Sequence, residues 1–258
     1  MILDEIYKYK IIELEEKKKL VSFDTIKEEA LKMKREIRNF PNALTAVDIS
    51  LIAEIKYVSP SEGKILNLVD VEKRASDYES AGASAISVLT DEKYFGGNLS
   101  FLEKARTKTS IPILRKDFLF DPYHIYESYV HGADAVLFIA RMLDEEQLKT
   151  LVTLTHDLGL FCLVEIRSEE ELEKALKTDA QVIGMNTRDL QTFEVNLDIT
   201  NKLIPMIPKD RIVVAESGIH NNQDVKFVKE AGADAILVGT SLMKTDNVAD
   251  KINELLSV

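Results

Sequence analysis

The chain has 258 residues, of which 45% are hydrophobic and 30% charged, a composition typical of a globular protein with a sizeable core. Its net charge of −11 argues against a surface that binds nucleic acid or an anionic membrane. A single cysteine, Cys162, excludes an intramolecular disulfide and a cysteine-rich metal site, and Asp4 interrupts the amino terminus before a signal peptide can develop. We therefore expect a cytoplasmic protein without a nucleic-acid or membrane partner.

The first segment, residues 1 to about 45, has Lys, Glu, Leu and Ile at helical spacing, and "FPN" (40–42) closes it. After it, strand-like and helix-like runs alternate. The candidate strands cover residues 51–56, 85–89, 111–116, 135–139, 160–166, 181–186, 211–216 and 235–239. Each is followed by a helical stretch, which predicts parallel β/α units, and eight such units close a (β/α)8 TIM barrel.

Near-copies of one motif support closure of the barrel: "AGASAISVL" (81–89), "HGADAVLFI" (131–139) and "AGADAILVG" (231–239). Each has a helix end, a glycine cap and an even-numbered strand, and "TDAQVIGMN" (178–186) occupies the remaining place. An open doubly wound sheet would not need this even periodicity, and no GxGxxG follows the first strand. We predict one barrel domain over residues 1–258, with residues 1–45 as an amino-terminal helical extension.

The first candidate strand lies in "LIAEIKYVSPSEG" (51–63) and carries two charges among apolar residues. Because alternate residues of a strand share a face, Glu54 and Lys56 point the same way as Ile52. Charges on this face indicate either the mouth of a barrel or an edge strand whose polar face meets water.

Polar and ionisable residues recur where the four odd-numbered strands and the sixth strand end, and in a TIM barrel these ends carry the chemistry. They are Glu54, Lys56, Lys116, Glu165, Asn186, Arg188, Glu216 and Ser217. Any one of them is explained most simply as a charge at a solvated strand end. Three carboxylates and three cations converging on one mouth are harder to explain that way, because buried charges are costly unless paired or used.

The last two strands lead into "ESGI" and "LVGTSLM", each just before a helical stretch. Gly218, Gly239 and Thr240 offer backbone N–H groups at the place where such barrels commonly hold a phosphate. Taken alone, each glycine is equally well explained as a turn residue.

Together these motifs resemble the indole-3-glycerol-phosphate synthase family of tryptophan biosynthesis. The resemblance covers nearly the whole chain, and its most specific part is the order "PILRKDF", "NTRDL", "AESGI". It implies a lyase that converts 1-(2-carboxyphenylamino)-1-deoxyribulose 5-phosphate to indole-3-glycerol phosphate with loss of CO2 and water. The family needs no organic cofactor and no metal, so the expected partner is a phosphorylated small molecule.

The resemblance also implies roles for the residues. Lys116 would be the general acid, oriented by Glu54 and Asn186. Lys56 would pair with the substrate carboxylate, and Glu165 would be the base of the later dehydration, with Lys56 as a candidate acid. The substrate-binding residues would be Arg188, Glu216, Ser217, Phe95, Phe118 and Ser59, and the phosphate would be held at Gly218, Gly239, Thr240 and Lys56. The amino-terminal extension would fold over the catalytic face.

Three positions depart from the family pattern. Tyr57 stands where the family often has Arg, Glu62 where it often has a basic residue, and Thr187 where a second Asn is frequent. The first two reduce the positive charge expected in the loop after the first strand. They leave the expected chemical groups unchanged.

Two other functions remain open at this stage. Phosphoribosylanthranilate isomerase, a related barrel, would need a cysteine base near the end of the first strand, where this chain has Glu54 and where Cys162 cannot reach. A catalytically silent phosphate-binding barrel, acting as a sensor or scaffold, is not excluded by spacing, although Lys116 and Glu165 argue against it. The oligomeric state is open as well, with a monomer favoured.

Overall fold

Eight parallel strands close into a barrel in the computed structural model of the chain. The structure describes residues 2–59, 63–64, 70–189 and 192–258, but not the side chains of residues 59, 63 and 64. The barrel strands are β1 (Ser50–Ile55), β4 (Ala85–Leu89), β5 (Ile113–Lys116), β6 (Ala135–Ile139), β7 (Phe161–Ile166), β8 (Val182–Asn186), β9 (Ile212–Glu216) and β10 (Ala235–Val238). Strand β1 pairs with both β4 and β10, which completes the closure. The predicted (β/α)8 TIM barrel is confirmed.

Strand boundaries agree with the sequence prediction to within one residue, except at β5. This strand was expected from residue 111 but begins at Ile113. Pro112 precedes it and has no backbone N–H to contribute to a strand ladder. A small antiparallel pair, β2 (Val58–Ser59) and β3 (Gly63–Lys64), follows β1 and was not predicted.

Helices surround the barrel and also precede it. They are α1 (Ile2–Leu20), α2 (Phe23–Lys32), α3 (Phe40–Leu44), α4 (Val71–Ser80), α5 (Glu92–Phe95), α6 (Ser100–Arg106), α7 (Pro122–Val130), α8 (Glu145–Asp157), α9 (Glu169–Leu176), α10 (Asp198–Leu203), α11 (Asn222–Ala231), α12 (Thr240–Met243) and α13 (Val248–Leu256). Among the residues described, no helix combines the length and the apolar character needed to cross a membrane.

Alternation along the strands separates two apolar layers. Ile52, Leu114, Leu163 and Val214 belong to the cluster inside the barrel, whereas their apolar sequence neighbours belong to the larger cluster between strands and helices. Because side chains two positions apart share a face, the ionisable residues that follow the inner apolar ones also point inward, at the carboxyl-terminal ends of the strands.

The amino-terminal helices contact both ends of the barrel. At one end, Leu3 and Ile6 of α1 line the cavity at the mouth. At the other end, the fully buried Phe40 and Leu44 of α3 join the inner cluster beside the first residues of the strands, such as Ala85. The "FPN" sequence therefore starts a helical turn, with Asn39 as its cap and Pro in its first turn, where a missing N–H costs nothing.

Candidate active site

A cavity opens at the carboxyl-terminal ends of the barrel strands. Its lining includes every predicted site residue but one: Glu54, Lys56, Phe95, Lys116, Phe118, Glu165, Asn186, Arg188, Glu216, Ser217, Gly218, Gly239 and Thr240. The exception is Ser59, whose side chain lies outside the described part of the chain. Barrel closure thus brings together residues that are spread over nearly 190 positions of sequence.

Lys116 projects from the end of β5 between two carboxylates. Its Nζ lies 2.8 Å from Oε2 of Glu165 and 3.2 Å from Oε2 of Glu216. Burial by itself would lower the pKa of this ammonium, but the carboxyl groups around it, Glu165 foremost, outweigh burial and raise the pKa above its ordinary value. Lys116 is therefore protonated at neutral pH.

Glu216 is the least well paired of the carboxyl groups at this mouth. It is 2% exposed, and its Oε1 has no hydrogen-bond donor among the described residues. Burial and the nearby charge of Glu165 raise the pKa of Glu216 to about 8, even though Lys116 acts in the opposite direction. Gly184 makes room for this carboxyl, since a Cβ at that position would overlap Oε1 of Glu216.

Asn186 connects Glu165 to the neighbouring loop. Its Nδ2 donates to Oε1 of Glu165 (3.0 Å), and its Oδ1 accepts from Oγ of Ser217 (2.9 Å) and from the backbone N of Arg188 (3.0 Å). Two donors on the oxygen determine which way the amide points, so Asn186 holds Glu165 in a single orientation. Thr187 supports Ser217, whose φ is 67°, by donating from Oγ1 to the Ser217 carbonyl (2.9 Å).

Glu54 contacts a different lysine from the one expected. Its Oε1 lies 3.0 Å from Nζ of Lys56, whereas Lys116 is held by Glu165 and Glu216. Gly239 is the neighbour that permits this pair, because a Cβ there would overlap the Glu54 carboxylate and come within 3.1 Å of Cε of Lys56.

Part of the cavity lining is apolar. The rings of Phe95 and Phe118 lie 5.9 Å apart at an angle of 41° and form what we call the aromatic wall. Leu3 and Ile6 of α1 line the cavity as well. Sequence reasoning did not single out these two aliphatic residues, because helical spacing marks a buried face without saying what it covers.

Two further residues lie away from the mouth. Cys162 belongs to the outer layer, with Sγ 3.8 Å from Nε2 of His156, and burial raises the pKa of its thiol to about 12. Tyr57 also belongs to the outer layer, and its ring lies 5.4 Å from that of Phe101. Glu62 lies outside the described residues.

Comparison with known proteins identifies the family. A protein-family sequence model described as indole-3-glycerol phosphate synthase matches residues 3–255 of the chain. The chain belongs to the indole-3-glycerol phosphate synthase family. Family relatives named indole-3-glycerol phosphate synthase include one from Alkaliphilus metalliredigens (strain QYMF), 45% identical over 258 residues, which spans 100% of this chain and 98% of the relative. Another, from Acetivibrio thermocellus, is 46% identical over 263 residues and spans 100% of both chains. The resemblance noted in the sequence is thereby confirmed.

Solved structures of other enzymes share the barrel at low sequence identity. The 3-hexulose-6-phosphate synthase from Salmonella typhimurium is 13% identical, with a TM-score of 0.65 over 80% of this chain and 96% of that chain. At this identity the likeness concerns the fold alone.

Proposed function

We propose that this member of the indole-3-glycerol phosphate synthase family is a carboxy-lyase with Lys116 as its general acid. It converts 1-(2-carboxyphenylamino)-1-deoxyribulose 5-phosphate to indole-3-glycerol phosphate, CO2 and water. The observation that carries the proposal is the ammonium of Lys116, held 2.8 Å and 3.2 Å from carboxyl oxygens of Glu165 and Glu216 in a cavity that also contains the aromatic wall.

The first step forms the new ring. The aromatic carbon that bears the carboxylate attacks the ribulose carbonyl, and the π electrons of the carbonyl move to its oxygen, which takes a proton from Lys116. The bond to the carboxylate then breaks, its electrons restore the aromatic ring, and CO2 leaves. Phe95 and Phe118 supply the flat apolar surface against which that ring stacks.

The second step expels the hydroxyl group as water. Glu165 accepts the proton lost from the substrate, and its orientation is fixed by the hydrogen bond from Asn186. The leaving hydroxyl takes its proton from an ammonium, and both Lys56 and Lys116 line the cavity. Glu54, which contacts Lys56 at 3.0 Å, orients that second lysine.

Substrate binding divides along the same cavity. Lys56 pairs with the substrate carboxylate, and the backbone N–H groups around Gly218, Gly239 and Thr240 hold the phosphate together with Lys56. Arg188, Glu216, Ser217 and Ser59 bind the remaining polar groups of the substrate. A Glu216 that keeps its proton near neutral pH can donate a hydrogen bond to a substrate hydroxyl.

The proposal is tested by Lys116→Met, with Lys149→Met as a matched control on the exposed face of α8. Product formation is followed by indole fluorescence, which meets no tryptophan background because the chain contains no Trp. Loss of the general acid should lower kcat by about 10²–10⁴, and the control should keep wild-type turnover. Wild-type turnover in Lys116→Met would contradict the assignment.

We also propose that the enzyme works as a monomer in the cytoplasm, without a nucleic-acid or membrane partner. The net charge of −11 disfavours binding to polyanions.

A further inference from the structure

A buried lysine of α1 contacts carboxylates from two loops of the barrel. Lys10 is 2% exposed, and its Nζ lies 2.9 Å from Oδ1 of Asp117 and 3.4 Å from Oδ2 of Asp91. Glu13, one turn further along α1, approaches the same Nζ at 2.7 Å. The mechanism proposed above uses none of these four groups.

Asp91 fixes the position of Phe95. Its Oδ1 accepts from the backbone N of Tyr94 (2.7 Å) and of Phe95 (3.2 Å), and so caps α5, a helix that ends at Phe95. The other oxygen of the same carboxylate faces Lys10. A shift of Asp91 therefore moves one ring of the aromatic wall.

Asp117 fixes the position of Phe118. It directly follows Lys116, and its Oδ1 accepts from the backbone N of Phe118 (2.8 Å) as well as facing Lys10. Its Oδ2 accepts from Oγ1 of Thr90 (2.6 Å). The second ring of the aromatic wall thus depends on a carboxylate that shares its cation with Asp91.

We propose that Lys10 is a positioning residue that holds Asp91 and Asp117 together and thereby sets the aromatic wall that binds the substrate ring. The proposal rests on the function proposed above. Asp91 is 0% exposed and Asp117 3%, so solvent cannot replace the ammonium between them. Without Lys10 the two buried carboxylates would repel each other and separate, which displaces Phe95 and Phe118.

The surrounding charges show why another cation cannot take over. Arg115 lies 3.3 Å from Asp117 and already pairs with Glu127 at 2.8 Å. Lys17 lies 3.7 Å from Glu13 and 3.1 Å from Glu127. Within the described part of the chain, Lys10 is the one cation that lies within 4.0 Å of Asp91.

The test is Lys10→Met in the full chain, with Lys8→Met as the control. Lys8 is exposed on the same helix and receives the same substitution. A displacement of about 1 Å at a binding wall can cost up to about 100-fold in efficiency, so we expect Lys10→Met to raise KM about tenfold or more. Its kcat should stay within about threefold of wild type, because the lysines and carboxylates at the mouth remain in place.

A second variant distinguishes positioning from simple support of the fold. Adding Asp91→Asn to Lys10→Met removes one of the two repelling charges while an Asn cap remains. We expect the double variant to recover at least about threefold in kcat/KM over Lys10→Met, whereas a purely structural role would change the melting temperature without this recovery.

The outcomes separate the two proposals. A folded Lys10→Met with wild-type KM would overturn the positioning role, as would a folded single variant that gains nothing from Asp91→Asn. If Lys10→Met alone is unfolded, a folded double variant of Lys10→Met and Asp91→Asn would support the positioning role of Lys10. An unfolded double variant would overturn it. Failure of the wild-type protein to form the indole product would count against the proposed function itself.

Discussion

Glu165 and Glu216 share the ammonium of Lys116, but they differ in their other partners. Glu165 also accepts a hydrogen bond from Asn186, whereas Oε1 of Glu216 has no donor within the described part of the chain. A buried carboxylate without sufficient donors is more stable with its proton than without it. Glu216 can therefore be protonated while Glu165, in the same site, is ionised.

This difference predicts how Glu216→Gln changes the stability of the protein with pH. In the unfolded chain Glu216 loses its proton above its ordinary pKa of 4.5, whereas in the folded protein it keeps the proton up to about pH 8. Folding then requires proton uptake between these values, so the wild-type protein loses stability as pH rises from about 5 to about 8. Glutamine does not titrate. Between pH 5 and pH 8 the free energy of unfolding of the variant, relative to that of the wild type, should therefore rise by about a few kcal/mol.

Urea unfolding at pH 5 and pH 8 measures this effect. Glu146→Gln, an exposed position on α8, is the control and should track the wild type at both values. Parallel pH dependence of Glu216→Gln and wild type would mean that Glu216 ionises in the folded protein much as it does in the unfolded chain.

At the scale of elements, α1 is held at both of its ends. Near its start, Leu3 and Ile6 line the cavity. Near its end, Lys17 and Lys18 lie 3.1 Å from carboxylate oxygens of Glu127 and Asp121, which belong to α7 and its cap. The helix thus helps to line the cavity at the mouth, while the separate helix α3 covers the other end of the barrel.

Deleting residues 2–20 should therefore raise KM strongly and leave the barrel folded. The deletion removes Leu3, Ile6 and Lys10 from the side of the aromatic wall but keeps Phe40 at the opposite end. Fluorescence assays give KM, and circular dichroism reports the fold. A deletion of residues 2–40 is the comparison, and it should also lower the melting temperature because it removes the fully buried Phe40. A soluble 2–20 deletion with unchanged KM would mean that α1 only stabilises the barrel.

At the scale of the whole molecule, the two ends of the barrel have different charge arrangements. Asp134 is fully buried at the end opposite the cavity, just before β6. It accepts from Nη1 of Arg106 (2.8 Å) and of Arg35 (3.4 Å), and from the backbone N of Arg38 and Ile113. These contacts join the segment between α2 and α3 to the barrel. In TIM barrels this end contributes to stability and the other end to chemistry.

Asp134→Asn should accordingly destabilise the protein without changing catalysis. Removing the charge leaves two half-buried guanidinium groups without their shared carboxylate, and the loss should be at most about 3–5 kcal/mol, the cost of a broken buried pair. Urea unfolding gives the stability, and KM and kcat should equal those of wild type. Asp210→Asn, an exposed position, is the control. An altered KM in Asp134→Asn would show that the two ends of the barrel are coupled.

The strand positions, the barrel and the inward-facing side chains could be predicted from the amino-acid sequence. Residues Glu54, Lys116, Glu165 and Glu216 each lie two positions after an inward apolar residue, and this period of two is a local property of a strand. The repeated motifs indicated an eight-unit barrel, and the order of the strand-end motifs indicated its family. Both could be recognised in the sequence because each motif spans only a few adjacent residues.

Which groups contact one another was decided only by the tertiary structure. Closure and stagger of the strands set Lys116 against Glu165 and Glu216 and left Glu54 to Lys56, although all five side chains are ionisable and point to the same mouth. The same applies to Lys10, whose partners Asp91 and Asp117 lie more than 80 residues away in sequence. Helical spacing marked Lys10 as one of many lysines on a charged segment. Its burial against two carboxylates follows from where α1 crosses the barrel mouth, and a periodic pattern within α1 contains no information about that crossing.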